Sequence, residues 1–430
     1  VPEQNHWKRN LALFLTSQTV SLLGSSLVQY AMLWHLTLNT RSGTMMTLYI
    51  IFGFVPNFLL APFAGVWADR YERRRLIILS DGLIAAVTLA LAILFMSGHG
   101  AIWLFFVAAA LRAFGMAIQG PAVGAILPQI VPADQLTRAN GINGAIQSAI
   151  MLVAPLASGA LLTITSIQIV FFSDVVTAAI AITILLTLKV RPHEKALAAM
   201  TAGNQATGYL DDLKAGFRYI RDHRYLVSFF MYIGLFLFMV APAAFLTPLQ
   251  VTRNYGGAVW RLTAIEIAFS AGMLLGGGLI AAWGGFRNRM HTMVAANLLM
   301  AACTIALGLV PSFWIYLGVM GLFGIALPFY NTPSAVMLQE HVEPDYLGRV
   351  FSVLTMLSTS LMPLGMLVFG PLADSVPVEW LMLGSGVAML VLVILATRQR
   401  RLMEAGVPVN LSGSPEEGQL QHGAEAVIDR

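Results

Sequence analysis

The sequence predicts an all-α polytopic membrane protein with twelve transmembrane helices in two six-helix bundles. Three observations carry that reading. Apolar stretches of roughly 20 residues recur along the chain, and at ~1.5 Å of rise per residue each can cross a hydrocarbon core of about 30 Å. The composition is 57% hydrophobic and 11% charged, with mean hydropathy +0.75. That leaves too little polar surface to solvate a globule of 430 residues. The short loops between stretches alternate in positive charge, the pattern that separates cytoplasmic from external loops.

In chain order the spans fall at 11–38, 44–67, 76–97, 101–127, 139–165, 167–189, 226–250, 261–284, 291–310, 312–337, 348–373 and 378–398. The first is long enough to cross and lacks a small-residue cleavage pattern, so it reads as a span and not as a signal peptide. Several exceed what an upright helix needs, which predicts tilt or overhang into the headgroups. Of the 25 Lys and Arg residues, only Arg41, Arg253 and Arg261 fall on one set of loops, and Arg112 lies inside a span. The others lie on the opposite loops or in the termini, which makes that side and both chain ends cytoplasmic. The net charge of +4 therefore reports topology. Basic residues scattered beside a membrane make no nucleic-acid footprint. Cys303, the single cysteine, lies in an apolar span as a small packing residue and excludes an intramolecular disulfide.

This organisation gives an N-terminal bundle over 1–190, a cytoplasmic linker with an amphipathic helix over 191–225, a C-terminal bundle over 226–400 and a disordered cytoplasmic tail over 401–430. The linker opens small and polar from Ala196 to Gly208. Leu210, Leu213, Phe217 and Ile220 then share one helical face, with Lys214, Arg218 and Arg221 on the other. Such a helix either lies along the cytoplasmic interface or simply tethers the halves. The halves repeat at a spacing of about 211 residues: Val131, Asp134, Leu136 and Arg138 fall on Val342, Asp345, Leu347 and Arg349, and Gly159 on Gly370. Repetition in one orientation implies bundles related by an axis along the membrane normal, with a binding site between them near the midplane.

Gly65-Val66-Trp67-Ala68-Asp69-Arg70-Tyr71-Glu72-Arg73-Arg74-Arg75 closes the second span and opens the third. It resembles the loop signature of the major facilitator superfamily, Gly-x-Leu-Ala-Asp-Arg-x-Gly-Arg-Arg, with Glu72 in place of the second glycine. With the twelve spans, the central basic loop and the duplication, the resemblance covers the chain up to its tail and implies the major facilitator fold. It also implies that Gly65, Asp69, Arg70, Arg73 and Arg74 form a cytoplasmic gate that holds one conformation. An aspartate at a helix end beside guanidiniums can make charge-assisted hydrogen bonds or face the positive end of a neighbouring helix. The plainer alternative is that the arginines anchor the loop inside, which is the reading for Arg75. A degenerate copy from Gly278 to Arg289 lacks the aspartate. Leu111-Arg112-Ala113-Phe114-Gly115-Met116-Ala117-Ile118-Gln119-Gly120-Pro121-Ala122 in span four resembles the drug-exporting branch that includes macrolide efflux proteins and siderophore exporters.

A charge deep in a span costs several kcal/mol unless it faces water or a partner, so the intramembrane charges should face the interior. For Arg112 the resemblance implies proton relay or conformational coupling, while the residues alone equally allow an ion pair with an acid such as Asp81. Asp81, one and a half turns after Arg75, reads as a charge partner. Glu266 and then Asp174 are the proton-carrier candidates. An acid in apolar surroundings can take a proton from one side and release it when its surroundings become polar or cationic. A hydrogen-bonded structural acid is the alternative for each, and pairing with Arg261 would undo the carrier role of Glu266. Pro155 with Gly159, and Pro363 with Gly365 and Gly370, predict kinks and close packing in spans five and eleven.

Gln18, Gln29, Gln119, Tyr232, Phe236, Tyr330 and Asn331 are the candidate lining of a cavity for a large, partly apolar ligand, or else helix packing. His35 reads as a surface group near the outer end of span one. The chain has no nucleophile with a base, no His-Glu-x-x-His metal motif and no Gly-x-x-x-x-Gly-Lys-Ser/Thr nucleotide loop. No enzyme, no catalytic residue, no metal and no cofactor are expected. With the resemblance, the sequence predicts a monomeric secondary active transporter of the bacterial inner (cytoplasmic) membrane. It would exchange protons for an amphipathic organic compound, as in multidrug or macrolide-like efflux, by alternating access. Its partners would be a small-molecule substrate, protons and the lipid bilayer, with no nucleic acid. An importer, an exporter of a siderophore, lipid or metal ion on the same scaffold, and a nontransporting receptor or scaffold are the alternatives.

Overall fold

The computed structural model describes residues 7–188 and 209–407, apart from the side chains of residues 62, 69 and 209–212. Every regular element among the described residues is helical: α1 (Trp7–Thr40), α2 (Gly43–Arg70), α3 (Arg73–Met96), α4 (Trp103–Ile130), α5 (Leu136–Ile164), α6 (Ile167–Thr187), α7 (Tyr209–Asp222), α8 (Arg224–Phe245), α9 (Thr247–Asn254), α10 (Val259–Trp283), α11 (Arg289–Leu309), α12 (Phe313–His341), α13 (Pro344–Ser375), α14 (Val378–Arg398) and α15 (Arg400–Glu404). Among the described residues twelve segments are long and apolar enough to cross a membrane, with α8 and α9 acting as one. That number and order are the ones expected from hydropathy. The seventh span is interrupted near Pro242, whose carbonyl accepts the Leu246 N–H at 2.8 Å where α8 stops.

The ends have local causes. Arg41 takes a left-handed φ of 48° to reverse the chain, and Ser42 then caps α2 by accepting the Met45 N–H at 3.3 Å. Before α11, Gly284 and Gly285 sit at φ 76° and 83°, which favour glycine, and Asn288 caps the helix through the N–H groups of Met290 and His291. The internal repeat is visible in detail. Val131 and Val342 end α4 and α12 in extended, buried conformations, with their N–H groups on the Leu127 and Leu338 carbonyls at 3.1 and 3.0 Å. The halves then diverge: a 3-10 turn over Ala133–Gln135 precedes α5, whereas α13 starts directly at Pro344, a residue suited to a first helical turn.

The chain forms two compact units, Val1–Ala206 with Val251–Ile267, and Thr207–Gln250 with Ala268–Arg430. In the first unit the buried residues form stripes at three- and four-residue steps. These are Ser17, Ser21, Gly24, Val28 and Ala31 on α1; Ile77, Asp81, Ile84, Thr88 and Leu91 on α3; Phe105, Ala108, Arg112 and Gly115 on α4; and Phe171, Asp174, Ala178, Ala181 and Leu185 on α6. Such spacing keeps one seam of each helix facing its neighbours. Lipid is as apolar as a leucine core, so close backbone approach must supply much of the packing energy. A Cβ at Gly24 would lie 1.9 Å from Thr177 Oγ1, which shows how near α1 and α6 run.

The second unit uses the same device between α10 and α12. A Cβ at Gly272, Gly276 or Gly324 would lie 2.0, 2.3 or 2.2 Å from the carbonyl oxygen of Gly321, Ile325 or Phe269.

Two readings of the polar segments change. The α7 helix packs on α13 through Gly216, Tyr219 and Ile220, while Phe217 is 43% exposed. Tyr219 stacks on Tyr346 with centroids 4.5 Å apart, and its hydroxyl accepts the Glu343 N–H at 3.3 Å. A flat ring that can stack and bond outcompetes the apolar periodicity that had selected Phe217. Leu210 and the Ala196–Gly208 stretch lie outside the described residues. The tail, expected to be disordered from 401, instead begins with α15. Leu402 is fully buried, the Met403 carbonyl accepts from Asn288 Nδ2 at 2.8 Å, and the Gly406 carbonyl accepts the Arg289 N–H at 2.6 Å. A buried leucine and otherwise unbonded groups before α11 hold this turn; residues 408–430 lie outside the described residues.

Candidate functional site

The buried seams of α1, α3, α4 and α6 carry two polar layers. In one, Arg112 Nη1 meets Asp174 Oδ2 at 2.6 Å, with side chains only 5% and 1% exposed. Thr88 Oγ1 lies 2.9 Å from Asp174 Oδ2 and accepts from Arg112 Nη1 in a short contact. Ser25 Oγ donates to Asp174 Oδ1 at 3.3 Å, and Arg112 Nη2 donates to the Ser25 carbonyl at 3.1 Å. In the other layer, Asp81 Oδ1 accepts from Ser21 Oγ and Gln119 Nε2, each at 2.7 Å. Asp81 Oδ2 is buried without a hydrogen-bond partner.

The seams explain this convergence. Ser21 and Ser25 are one helical turn apart, while Asp81 and Thr88, like Arg112 and Gln119, are two turns apart, so α1, α3 and α4 meet in both layers and α6 joins them in the first. Apolar clusters surround the layers, one including Phe14, Ile77 and Ile126, the other Val28, Phe105 and Phe171. In these surroundings an unpaired charge is expensive, and Arg112 with Asp174 neutralise each other.

Arg112 thus pairs with Asp174 and not with Asp81. Its position lies level with Thr88, and the two turns that separate Thr88 from Asp81 correspond to about 10 Å of helix. Asp81 has no cationic partner among the described residues, because Arg75 turns outward to Glu72 at 2.5 Å. Glu266, in the first unit, is half-buried within electrostatic range of Tyr30, and makes no hydrogen bond or ion pair among the described residues.

The side chain of Asp69 lies outside the described residues, and Arg70 is exposed. Around Gly65 the space is open. Arg73 donates to the carbonyls of Ala68 at 3.1 Å and Ala125 at 2.7 Å, tying the end of α2 to α4. Arg74 donates to the Leu188 and Leu186 carbonyls at 2.8 and 3.0 Å, where a cation complements the negative end of α6.

The cavity candidates separate. Gln119 serves Asp81, while Gln18 is half-buried with Nε2 unpartnered. Gln29 is exposed, its carbonyl accepting the Tyr49 hydroxyl at 3.3 Å, and Asn331 is also exposed. Tyr232, Phe236 and Tyr330 form a buried aromatic cluster, with successive centroids 6.1 and 6.0 Å apart. The Tyr232 hydroxyl accepts from Asn297 Nδ2 at 2.5 Å. This α8–α11 crossing is neutral, in contrast to the charged layers of the first unit. His35 is half-buried against Phe95 and Phe105, so it is a packing group and not a surface one. No three His, Cys, Asp or Glu side chains gather as a metal site among the described residues.

Ser21, Ser25, Thr88 and Asn297 are site residues that sequence reasoning passed over. The available signal was the buried seam: Ser17, Ser21 and Ser25 recur every fourth residue, and Thr88 falls seven after Asp81.

Comparison with known proteins agrees with this geometry. The family model of the Major Facilitator Superfamily matches residues 11–366 and 260–413. Macrolide efflux protein A of Streptococcus pyogenes is 27% identical over 392 residues, covering 91% of this chain and 96% of that protein. The Staphyloferrin A transporter of Staphylococcus aureus is 23% identical, over 84% of this chain and 89% of its own. A bacterial homologue of the iron transporter ferroportin, solved in an inward-facing state, superposes with TM-score 0.69 at 14% identity, covering 91% of this chain and 99% of its own. The nucleoside transporter NupG gives TM-score 0.64 at 17% identity, covering 91% and 98%. Twelve apolar spans among the described residues, a duplicated loop and a family match along most of the length make this chain a multi-pass membrane transporter that belongs to the Major Facilitator Superfamily.

Proposed function

We propose that this protein is a proton-coupled exporter of amphipathic organic compounds, working by alternating access as a monomer in the bacterial inner membrane with both termini cytoplasmic. The observation that carries the coupling is the buried Arg112–Asp174 pair. If Asp174 takes a proton, Arg112 remains charged in an apolar shell. Any conformation that brings Arg112 to water then gains several kcal/mol over this one, so proton uptake shifts the conformational population. Asp81 and Glu266, neither paired with a cation among the described residues, are further proton-binding candidates. The gate role of Gly65, Asp69, Arg70, Arg73 and Arg74 remains part of the proposal, with Arg73 and Arg74 acting on helix-end carbonyls.

Macrolide efflux protein A supports the substrate class and the outward direction. The aromatic cluster of Tyr232, Phe236 and Tyr330 suits a large, partly apolar ligand. The Staphyloferrin A transporter favours siderophore export as the second reading. Purified protein in proteoliposomes, given a macrolide or a siderophore with and without an imposed pH gradient, tests both. Gradient-driven macrolide flux that collapses with a protonophore is expected. Flux indifferent to the gradient would sink proton coupling, and siderophore flux without macrolide flux would replace the substrate class.

A further inference from the structure

We propose that Thr88 is the positioning residue of the Arg112–Asp174 pair, its single hydroxyl proton choosing between Asp174 and its own helix. This rests on the coupling reading above. Thr88 is fully buried. Its Oγ1 accepts from Arg112 Nη1 and lies 2.9 Å from two acceptors, Asp174 Oδ2 on α6 and the Ile84 carbonyl one turn back on α3. One hydrogen cannot serve both acceptors fully. While Asp174 is ionised, a charge-assisted bond is the stronger choice, so the proton points to the carboxylate. Once Asp174 Oδ2 is protonated, that oxygen is a poorer acceptor, and the hydroxyl turns to Ile84. The Arg112 contact survives either way, because it uses an Oγ1 lone pair.

The hydroxyl thus gives Asp174 a donor that follows its charge and keeps the guanidinium aligned through the exchange. The other groups facing the pair come from α1, α2 and α3: Ser25 on α1, Tyr49 on α2 within range of Arg112, and Asp81 on α3 within range of Asp174, while α5 carries no charged residue beyond Arg138 at its start. Ser25 serves the other carboxylate oxygen, so among the described residues Thr88 is the one neutral donor to Oδ2, beside the Arg112 guanidinium.

The test compares Thr88→Val, which keeps the shape and removes the hydroxyl, with Thr88→Ser, which keeps the hydroxyl. The readouts are the pH profile of gradient-driven macrolide uptake and the pH dependence of the melting temperature of purified protein. Removing a donor from a carboxylate disfavours its charged form. The Thr88→Val profile should therefore move toward alkaline pH by about one unit, with Thr88→Ser keeping the wild-type midpoint. A Thr88→Val protein that melts earlier but keeps the wild-type midpoint would overturn the proposal and leave Thr88 as packing. If Thr88→Val does not fold, Thr88→Ala gives the same comparison. Absence of gradient-driven uptake in the wild type would defeat the coupling reading alone, and the melting profile would still decide Thr88.

Discussion

At the scale of single residues, the charges in the first unit have value only as a set. Asp174→Asn would strand Arg112 among apolar clusters and should cost roughly 3–5 kcal/mol, whereas replacing both partners by apolar residues of similar volume is often neutral. The double variant Arg112→Met with Asp174→Leu should therefore melt near the wild-type temperature, well above Asp174→Asn, and show no gradient-driven flux. Both are measurable on purified protein in detergent and in proteoliposomes. Retention of coupled flux by the double variant would reduce the pair to a structural device. The sequence exposed these charges because an ion in an apolar stretch needs a partner. It did not reveal which partner, because that depends on the depth at which α4 meets α6. Asp81 was nearer to a basic residue in sequence, yet Asp174 lies level with Arg112 in space. Thr88 was invisible to a search for charges although it touches both.

Helices were the most legible level. A span is fixed by its own hydropathy, so the spans were readable before any packing was known. Interfaces were not, since in lipid they are selected by small residues and not by hydrophobicity. Gly276, Gly277 and Gly278 on α10 look alike in sequence, but a Cβ on Gly276 would strike the Ile325 carbonyl, while nothing lies within 4 Å of Gly277 or Gly278. Gly276→Ala should lower the melting temperature by several degrees by forcing α10 from α12. Gly277→Ala should be neutral or slightly stabilising, because alanine is favoured over glycine in a helix by about 1 kcal/mol. Equal effects of the two substitutions would show that α10 and α12 do not pack through this face. In the polar segments the helix α7 was legible but its packed face was not, nor was the ordered start of the tail in α15, as single contacts, the Tyr219–Tyr346 stack and the buried Leu402, decide them.

For the whole molecule, orientation decides which loops and which helix-end contacts face the cytoplasm. It rests on charge asymmetry: Arg41, Arg253 and Arg261 stand nearly alone on one set of loops, and short loops rich in Lys and Arg stay in the cytoplasm. The single cysteine makes a direct measurement practical. Cys303 is 4% exposed and ligates nothing among the described residues, so Cys303→Ala should leave a folded, cysteine-free background. On that background His99→Cys and Pro311→Cys occupy the loops after α3 and α11, external in the proposed orientation, while Arg9→Cys and Arg400→Cys stand near the two chain ends, all at exposed positions. A membrane-impermeant thiol reagent applied to intact cells should label the first two, and the last two only after permeabilisation. The reverse pattern would invert the molecule and place the Arg73 and Arg74 contacts on the outer side. Labelling of one terminus but not the other would require an odd number of crossings, which an even set of twelve spans cannot give.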